Sequence, residues 1–111
     1  MGLSELFSPE LLKGKVAVIT GGGTGIGLVI ARDLAGRGAR VALAARTLPR
    51  LEEAAASIRK AGGEAAAFPC DVSDFKQVRA LAKAVDERYG PADILVNNAA
   101  ANFIRPSERL S

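Results

Sequence analysis

Hydrophobic and polar positions divide the chain into short apolar runs that alternate with longer segments of helical spacing. The short runs are rich in Val, Ile, Leu and Ala and end at glycines or polar residues, which is typical of strands buried in a parallel sheet. The longer segments repeat apolar residues every three or four positions, which predicts amphipathic helices. Predicted strands cover 15–20, 40–45, 64–70 and 93–97, and predicted helices cover about 25–36, 48–61 and 74–89.

Apolar spacing also predicts which side of each helix is buried. On the first helix we expect the inward residues to be Ile26, Val29, Ile30 and Leu34. On the third helix we expect them to be Val78, Leu81, Ala82, Val85 and Tyr89. Ser73 stands before the third helix and is expected to cap its N-terminus.

Four strands alternating with three helices predict an α/β fold, in which right-handed crossovers build a doubly wound parallel sheet of Rossmann type. The 111 residues supply the N-terminal portion of such a fold. The pattern stops at Ser111, where the helix after the fourth strand would begin. We therefore expect residues 1–111 to be a nucleotide-binding portion that is truncated before a catalytic half.

Composition and charge restrict the classes of function. Fifteen basic and twelve acidic side chains give a net charge of +3, spread without a run, which argues against a nucleic-acid partner. A single cysteine, Cys70, and no histidine make an internal disulfide and a zinc site unexpected. No apolar run reaches the roughly 18 residues of a membrane span. We expect a cytoplasmic protein, with a peroxisomal or mitochondrial location left open.

A glycine-rich segment joins the first predicted strand to the first predicted helix. Its sequence is Thr20-Gly21-Gly22-Gly23-Thr24-Gly25-Ile26-Gly27. Glycines let backbone N–H groups approach a pyrophosphate, and the N-terminus of the following helix adds the positive end of its dipole. A tight turn without a ligand is the alternative, but such a turn needs only one glycine. We therefore predict that these eight residues bind the phosphates of a dinucleotide.

The spacing of that segment, Gly-x-x-x-Gly-x-Gly after a threonine, resembles the short-chain dehydrogenase/reductase family. Asp71 and Val72 follow the third strand, where that family has its adenine-contacting aspartate. The run 97–100, Asn-Asn-Ala-Ala, follows the fourth strand, where the family has an Asn-Asn-Ala-Gly motif. The resemblance implies that Asp71, Val72, Asn98 and Ala99 contact the cofactor.

The end of the second strand indicates which dinucleotide is bound. NAD-binding folds of this type place an acidic residue there, which holds the ribose 2′-OH. No Asp or Glu lies between Val41 and Leu51, and the strand instead ends at Arg46. A guanidinium there can pair with a 2′-phosphate, although a solvated surface arginine is the alternative. The missing acid and the present base both favour NADP(H).

Catalysis in this family uses a Tyr-x-x-x-Lys pair preceded by a serine. The one tyrosine of the chain is Tyr89, and Asp93 stands four residues later. Tyr89 also lies on the predicted apolar side of the third helix, so packing explains it better than catalysis. These 111 residues alone are therefore expected to bind a nucleotide but to be a poor reductase.

The last stretch, 97–111, resembles the 2,4-dienoyl-CoA reductases, and the pair Asn102-Phe103 is its most distinctive part. The resemblance implies NADPH-dependent reduction of a conjugated dienoyl-CoA, with Asn102 as the catalytic residue that hydrogen-bonds the thioester oxygen. It also implies that Phe103 and Ser111 contact the acyl-CoA. A buried aromatic and a polar residue at a helix start are the alternatives for those two. Ala101 replaces the usual glycine beside Asn102, which is a departure from the pattern of that group.

Two other functions remain open. One is a short-chain reductase with another substrate, such as a 3-oxoacyl thioester or a small alcohol. The other is a non-catalytic fragment that binds NADP(H) or a partner chain. Because family members are commonly homotetramers, the resemblance also implies a homo-oligomer for the complete protein.

Overall fold

A computed structural model describes residues 11–21 and 25–98 of the chain. The elements in chain order are β1 (Val16–Thr20), α1 (Gly25–Gly36), β2 (Arg40–Ala45), α2 (Leu48–Lys60), β3 (Glu64–Pro69), α3 (Phe75–Tyr89) and β4 (Ile94–Asn97). Every predicted strand and helix is present, and each end lies within one residue of its predicted position. Pro49 stands in the first turn of α2, where its missing N–H costs no intrahelical hydrogen bond.

The strands form one parallel sheet in the order β3-β2-β1-β4. The chain adds β2 and β3 on one side of β1 and then crosses to place β4 on the other side. This reversal is the topological switch of a doubly wound sheet, at whose carboxyl edge such folds bind their ligands. Thr20, the last residue of β1, pairs with Ala44 of β2 and with Asn97 of β4. The α/β Rossmann-type prediction is confirmed.

Alternate residues of the central strands point to opposite faces of the sheet, and each face carries its own core. On one face, helices α1 and α2 cover Ala17, Ile19, Val41 and Leu43. On the other face, α3 covers Val16, Val18, Ala42 and Ala44. Both faces of β1 and β2 are therefore buried, which explains why their sequences read as continuous apolar runs.

The buried side of α1 differs from the predicted one. Ile26 and Val29 are 70% and 65% exposed, whereas Gly27, Ala31 and Ala35 are buried, with the two alanines packed in the core on the sheet. The prediction was therefore wrong for Ile26 and Val29, although Ile30 and Leu34 do pack at the border of the core. Small residues at every fourth position let the helix lie close to the strands, and this close approach turns the bulkier side chains outward.

The N-cap of α3 is Asp74. The sequence predicts Ser73 for this position, and that prediction was wrong. The Asp74 carboxylate accepts hydrogen bonds from the backbone N–H groups of Lys76 and Gln77, at 3.0 and 3.4 Å. The Ser73 hydroxyl instead donates to the carboxylate of Asp71. A serine and an aspartate stand side by side here, and the backbone turn selects the aspartate for the helix end.

Two expectations about burial near β4 also need correction. Strand β4 was predicted to be buried, yet Leu95 is 67% exposed. Within residues 11–21 and 25–98, β4 pairs only with β1, so its other edge has no neighbouring strand. Ala82 of α3 was expected inward and is exposed. Tyr89 is 8% exposed and packs in the α3 core, which confirms its predicted packing role.

No helix in the described part of the chain is both long and apolar enough to cross a lipid bilayer.

Candidate functional site

The end of β1 is fastened to β4 by a threonine hydroxyl. Thr20 is 6% exposed, and its Oγ1 donates to Oδ1 of Asn97 at 3.1 Å, with the carbonyl of Val96 at 3.4 Å. The hydroxyl therefore holds β1 and the edge strand β4 together at their carboxyl ends. Contact between Thr20 and a cofactor stays a prediction.

The glycine turn begins directly after Thr20. Gly21 has a φ of 69°, in the left-handed region that favours glycine, and its N–H donates to the carbonyl of Ala44 at 2.7 Å. Its carbonyl accepts a hydrogen bond from Nδ2 of Asn98 at 3.2 Å. The turn is therefore bound to β2 on one side and to the end of β4 on the other.

The start of α1 requires glycine for two different reasons. Gly25 has a φ of 60°, and no described residue lies within 4 Å of the place where its Cβ would project. Gly27 instead faces the turn, where an added Cβ would collide with the Gly21 carbonyl and lie 2.9 Å from Nδ2 of Asn98. The first turn of α1 contains no acidic residue, so its positive dipole end is not offset there. This arrangement suits the phosphates of a dinucleotide.

An exposed arginine stands at the carboxyl end of the neighbouring strand. Arg46 follows β2 directly, and its guanidinium is close enough to Asp71 to help lower the pKa of that carboxyl group. Thr47, the N-cap residue of α2, makes no side-chain capping hydrogen bond. The end of β2 thus presents a cation and a hydroxyl in a polar, solvent-facing position.

The turn between β3 and α3 holds Asp71 in a defined orientation. Its Oδ1 accepts hydrogen bonds from the hydroxyl and the backbone N–H of Ser73, at 2.7 and 3.0 Å. These two bonds, followed by the charge of Arg46, lower the pKa of Asp71 below its usual value, so the carboxylate is ionised at neutral pH. The next residue, Val72, is 40% exposed.

Cys70 lies beneath this turn and is 2% exposed. Burial raises the pKa of its thiol, and the neighbouring charges of Asp71 and Asp74 raise it further. The thiol is therefore protonated at neutral pH and unsuited to nucleophilic chemistry. Among the residues that the structure describes, no group of three or more His, Cys, Asp or Glu side chains could hold a metal ion.

The parallel sheet gathers the described candidates at one edge. Residues at the carboxyl ends of the four strands or at the start of α1 are Thr20, Gly21, Gly25, Ile26, Gly27, Arg46, Asp71, Val72 and Asn98. The remaining candidates lie outside the described residues, and they are Gly22, Gly23, Thr24, Ala99, Asn102, Phe103 and Ser111.

Sequence reasoning missed two residues that hold this edge in place. The Oδ1 of Asn97 accepts a hydrogen bond from the hydroxyl of Thr20. Gln77, on the first turn of α3, accepts a hydrogen bond from the backbone N–H of Asp71 at 2.8 Å. A capping pattern, Asp-x-x-Gln over residues 74–77, is the sequence signal that could have identified Gln77.

Comparison with known families gives one match that covers most of the chain. The sequence pattern of the family described as short chain dehydrogenase matches residues 15–111.

Individual relatives match over nearly the whole chain. A protein of Caenorhabditis elegans named "Probable 2,4-dienoyl-CoA reductase 3 [(3E)-enoyl-CoA-producing]" is 51% identical over 110 residues, which are 97% of this chain and 36% of that protein. The fatty acyl-CoA reductase of Acinetobacter baylyi is 45% identical over 103 residues, which are 93% of this chain and 35% of that protein. The chain thus spans about a third of the length of these relatives.

Among solved structures, a variant of actinorhodin polyketide ketoreductase crystallised with NADPH has the same fold. Its TM-score is 0.74 and its sequence is 48% identical, with 76% of this chain and 32% of that chain covered.

Proposed function

Because the chain belongs to the short-chain dehydrogenase family, we propose that it supplies the NADP(H)-binding part of an oxidoreductase that acts on an acyl-CoA thioester. The observation that carries this proposal is the meeting of a glycine turn, an arginine and an ionised aspartate at one edge of the sheet. Three strands provide these groups: β1 leads into the turn at Gly21, β2 ends at Arg46, and β3 ends before Asp71.

The residues at this edge fit a phosphorylated dinucleotide. The tight approach of Gly27 to the Gly21 carbonyl brings the start of α1 to the turn, so the first N–H groups of the helix, which have no intrahelical partner, can receive the pyrophosphate. Arg46 would pair with the ribose 2′-phosphate, for which a guanidinium offers parallel hydrogen bonds. The Asp71 carboxylate would accept from the adenine amino group. The bound cofactor would supply the hydride of the reaction.

The proposed substrate is a 2,4-dienoyl-CoA. Support comes from the stretch 97–111 and from the names of relatives, which include a 2,4-dienoyl-CoA reductase of Caenorhabditis elegans and a peroxisomal one of Arabidopsis thaliana. Asn102 is proposed to hydrogen-bond the thioester oxygen as charge develops on it, a kind of contact worth roughly 3–4 kcal/mol in an oxyanion site. Phe103 and Ser111 are proposed to contact the acyl-CoA, and the whole protein is proposed to be a homo-oligomer.

Reduction of alternative thioesters by the full-length protein that contains this chain tests the proposal. We expect NADPH oxidation with a 2,4-dienoyl-CoA, and we expect Asn102→Ala to lower kcat on that substrate. A clear preference for a 3-oxoacyl-CoA would favour a ketoreductase of the same family instead. NADPH binding without turnover of either thioester would favour a non-catalytic, nucleotide-binding role.

A further inference from the structure

The side-chain amide of Gln77 uses both of its ends on the turn between β3 and α3. Its Oε1 accepts from the backbone N–H of Asp71 at 2.8 Å, and its Nε2 donates to Oδ2 of Asp74 at 3.3 Å. Asp74 is at the same time the N-cap of α3. Gln77 therefore connects the backbone at Asp71 to the fixed end of a 15-residue helix.

Three further hydrogen bonds close the same turn. The backbone N–H of Asp74 donates to the carbonyl of Asp71 at 3.0 Å, and Ser73 donates twice to Oδ1 of Asp71. Within residues 11–21 and 25–98, no hydrogen bond reaches the second carboxylate oxygen of Asp71, Oδ2. One oxygen is therefore held by the protein, while the other is available to a donor from a ligand.

We propose that Gln77 is a positioning residue for adenine recognition, which orients the Asp71 carboxylate through the backbone N–H of that residue. This inference rests on the proposed function, because it assumes that the edge of the sheet binds NADP(H). Ser73 fixes the rotation of the Asp71 carboxylate through its two hydrogen bonds to Oδ1. Gln77 fixes the distance between the Asp71 backbone and the first turn of α3.

The chemistry of adenine makes this orientation important. A carboxylate only accepts hydrogen bonds when ionised, and the donor on the exposed edge of adenine is its 6-amino group. Hypoxanthine carries a carbonyl oxygen in place of that amino group, and its ring donor, N1–H, lies at the adjacent position. A carboxylate placed to accept from the adenine amino group therefore meets an acceptor in hypoxanthine. Discrimination between the two bases is therefore a direct measure of how well Asp71 is placed.

The test compares two cofactors in the full-length protein. Affinities for NADPH and for its hypoxanthine analogue, reduced nicotinamide hypoxanthine dinucleotide phosphate, are measured for the wild type and for Gln77→Met. Methionine keeps the length and the helix propensity of glutamine but makes neither hydrogen bond. Glu87→Met is the matched control, because Glu87 is exposed near the other end of α3.

The wild type is expected to prefer NADPH over the hypoxanthine analogue. Gln77→Met is expected to bind NADPH about three- to fivefold more weakly, the usual effect of one net hydrogen bond. Its affinity for the hypoxanthine analogue should stay unchanged, as should both affinities of Glu87→Met. If Gln77→Met does not fold, Gln77→Ala replaces it, since the position is exposed and no core contact is removed.

Other outcomes overturn the inference in distinguishable ways. An unchanged preference in the Gln77 variants, or an equal loss for both cofactors, removes the positioning role and leaves the proposed cofactor intact. If the wild type binds both cofactors equally tightly, Asp71 does not distinguish adenine from hypoxanthine, and the positioning role of Gln77 is overturned as well. Failure of the wild type to bind NADPH at all overturns the proposed function itself.

Discussion

The side-chain amide of Asn98 donates a hydrogen bond to the backbone carbonyl of Gly21 over 3.2 Å, between residues 77 positions apart in the chain. A Cβ at Gly27 would clash with the Gly21 carbonyl oxygen and lie 2.9 Å from Nδ2 of Asn98. The end of β4, the turn after β1 and the start of α1 therefore share one tightly packed point. The geometry of the proposed phosphate site depends on that point.

Replacing Gly27 by alanine should damage this packing. The added Cβ has no room beside the Gly21 carbonyl, so we expect Gly27→Ala to lower the free energy of unfolding by about 1–3 kcal/mol and to weaken NADPH binding. Gly36→Ala is the control, because a Cβ at Gly36 would meet open space. That control should be neutral or stabilising by up to about 1 kcal/mol. Urea denaturation measures both variants, and equal stabilities would contradict the packing argument.

Removing the Asn98 amide should loosen the turn without adding bulk. Asn98→Ala loses one hydrogen bond, so we expect the free energy of unfolding to fall by about 1 kcal/mol. Asn98→Asp keeps the shape but places an acceptor against the Gly21 carbonyl, and we expect a larger loss. Denaturation and NADPH titration of both variants check this order. Wild-type behaviour in Asn98→Asp would show that the contact is unimportant.

The pKa of Asp71 should respond to Ser73. Because the folded-state pKa lies below its usual value, the ionised carboxylate contributes stability that is present above that usual value and is lost as the pH falls through the folded-state pKa. Ser73→Ala removes the hydroxyl donor, the largest cause of the lowering, so the pKa of Asp71 should rise toward its usual value. A carboxyl-carbon NMR titration measures it. Ser57→Ala, on α2, should leave it unchanged, and an unmoved pKa in Ser73→Ala would contradict the assignment.

The strand and helix order could be predicted from the sequence because buried parallel strands read as apolar runs between glycines. The buried side of α1 could not be predicted from apolar spacing alone. Its buried side consists of the small residues Gly27, against the glycine turn, and Ala31 and Ala35, against the sheet, which leave Ile26 and Val29 exposed. Hydrophobicity predicts the wrong buried side of a helix when the packing is decided by how closely the helix approaches the sheet, and not by the apolar area of its side chains.

For the candidate site too, some features could be predicted from the sequence and others could not. Gly21, Arg46 and Asp71 could be located from the sequence, because the carboxyl ends of parallel strands meet at one edge. The roles of the side chains that hold them could not. The Thr20 hydroxyl and the Gln77 amide find their partners only through strand register and turn geometry, which the sequence pattern does not specify.

The preference for NADPH over NADH tests the central claim most directly. Arg46 should contribute a charge-assisted contact to the 2′-phosphate, so Arg46→Ala should weaken NADPH binding by about tenfold or more and leave NADH binding unchanged. Lys83→Ala, which removes an exposed positive charge from α3, should change neither affinity. Calorimetric titration of the full-length protein with both cofactors is the measurement. The account predicts tighter binding of NADPH that is lost in Arg46→Ala, and equal or tighter binding of NADH by the wild type would contradict it.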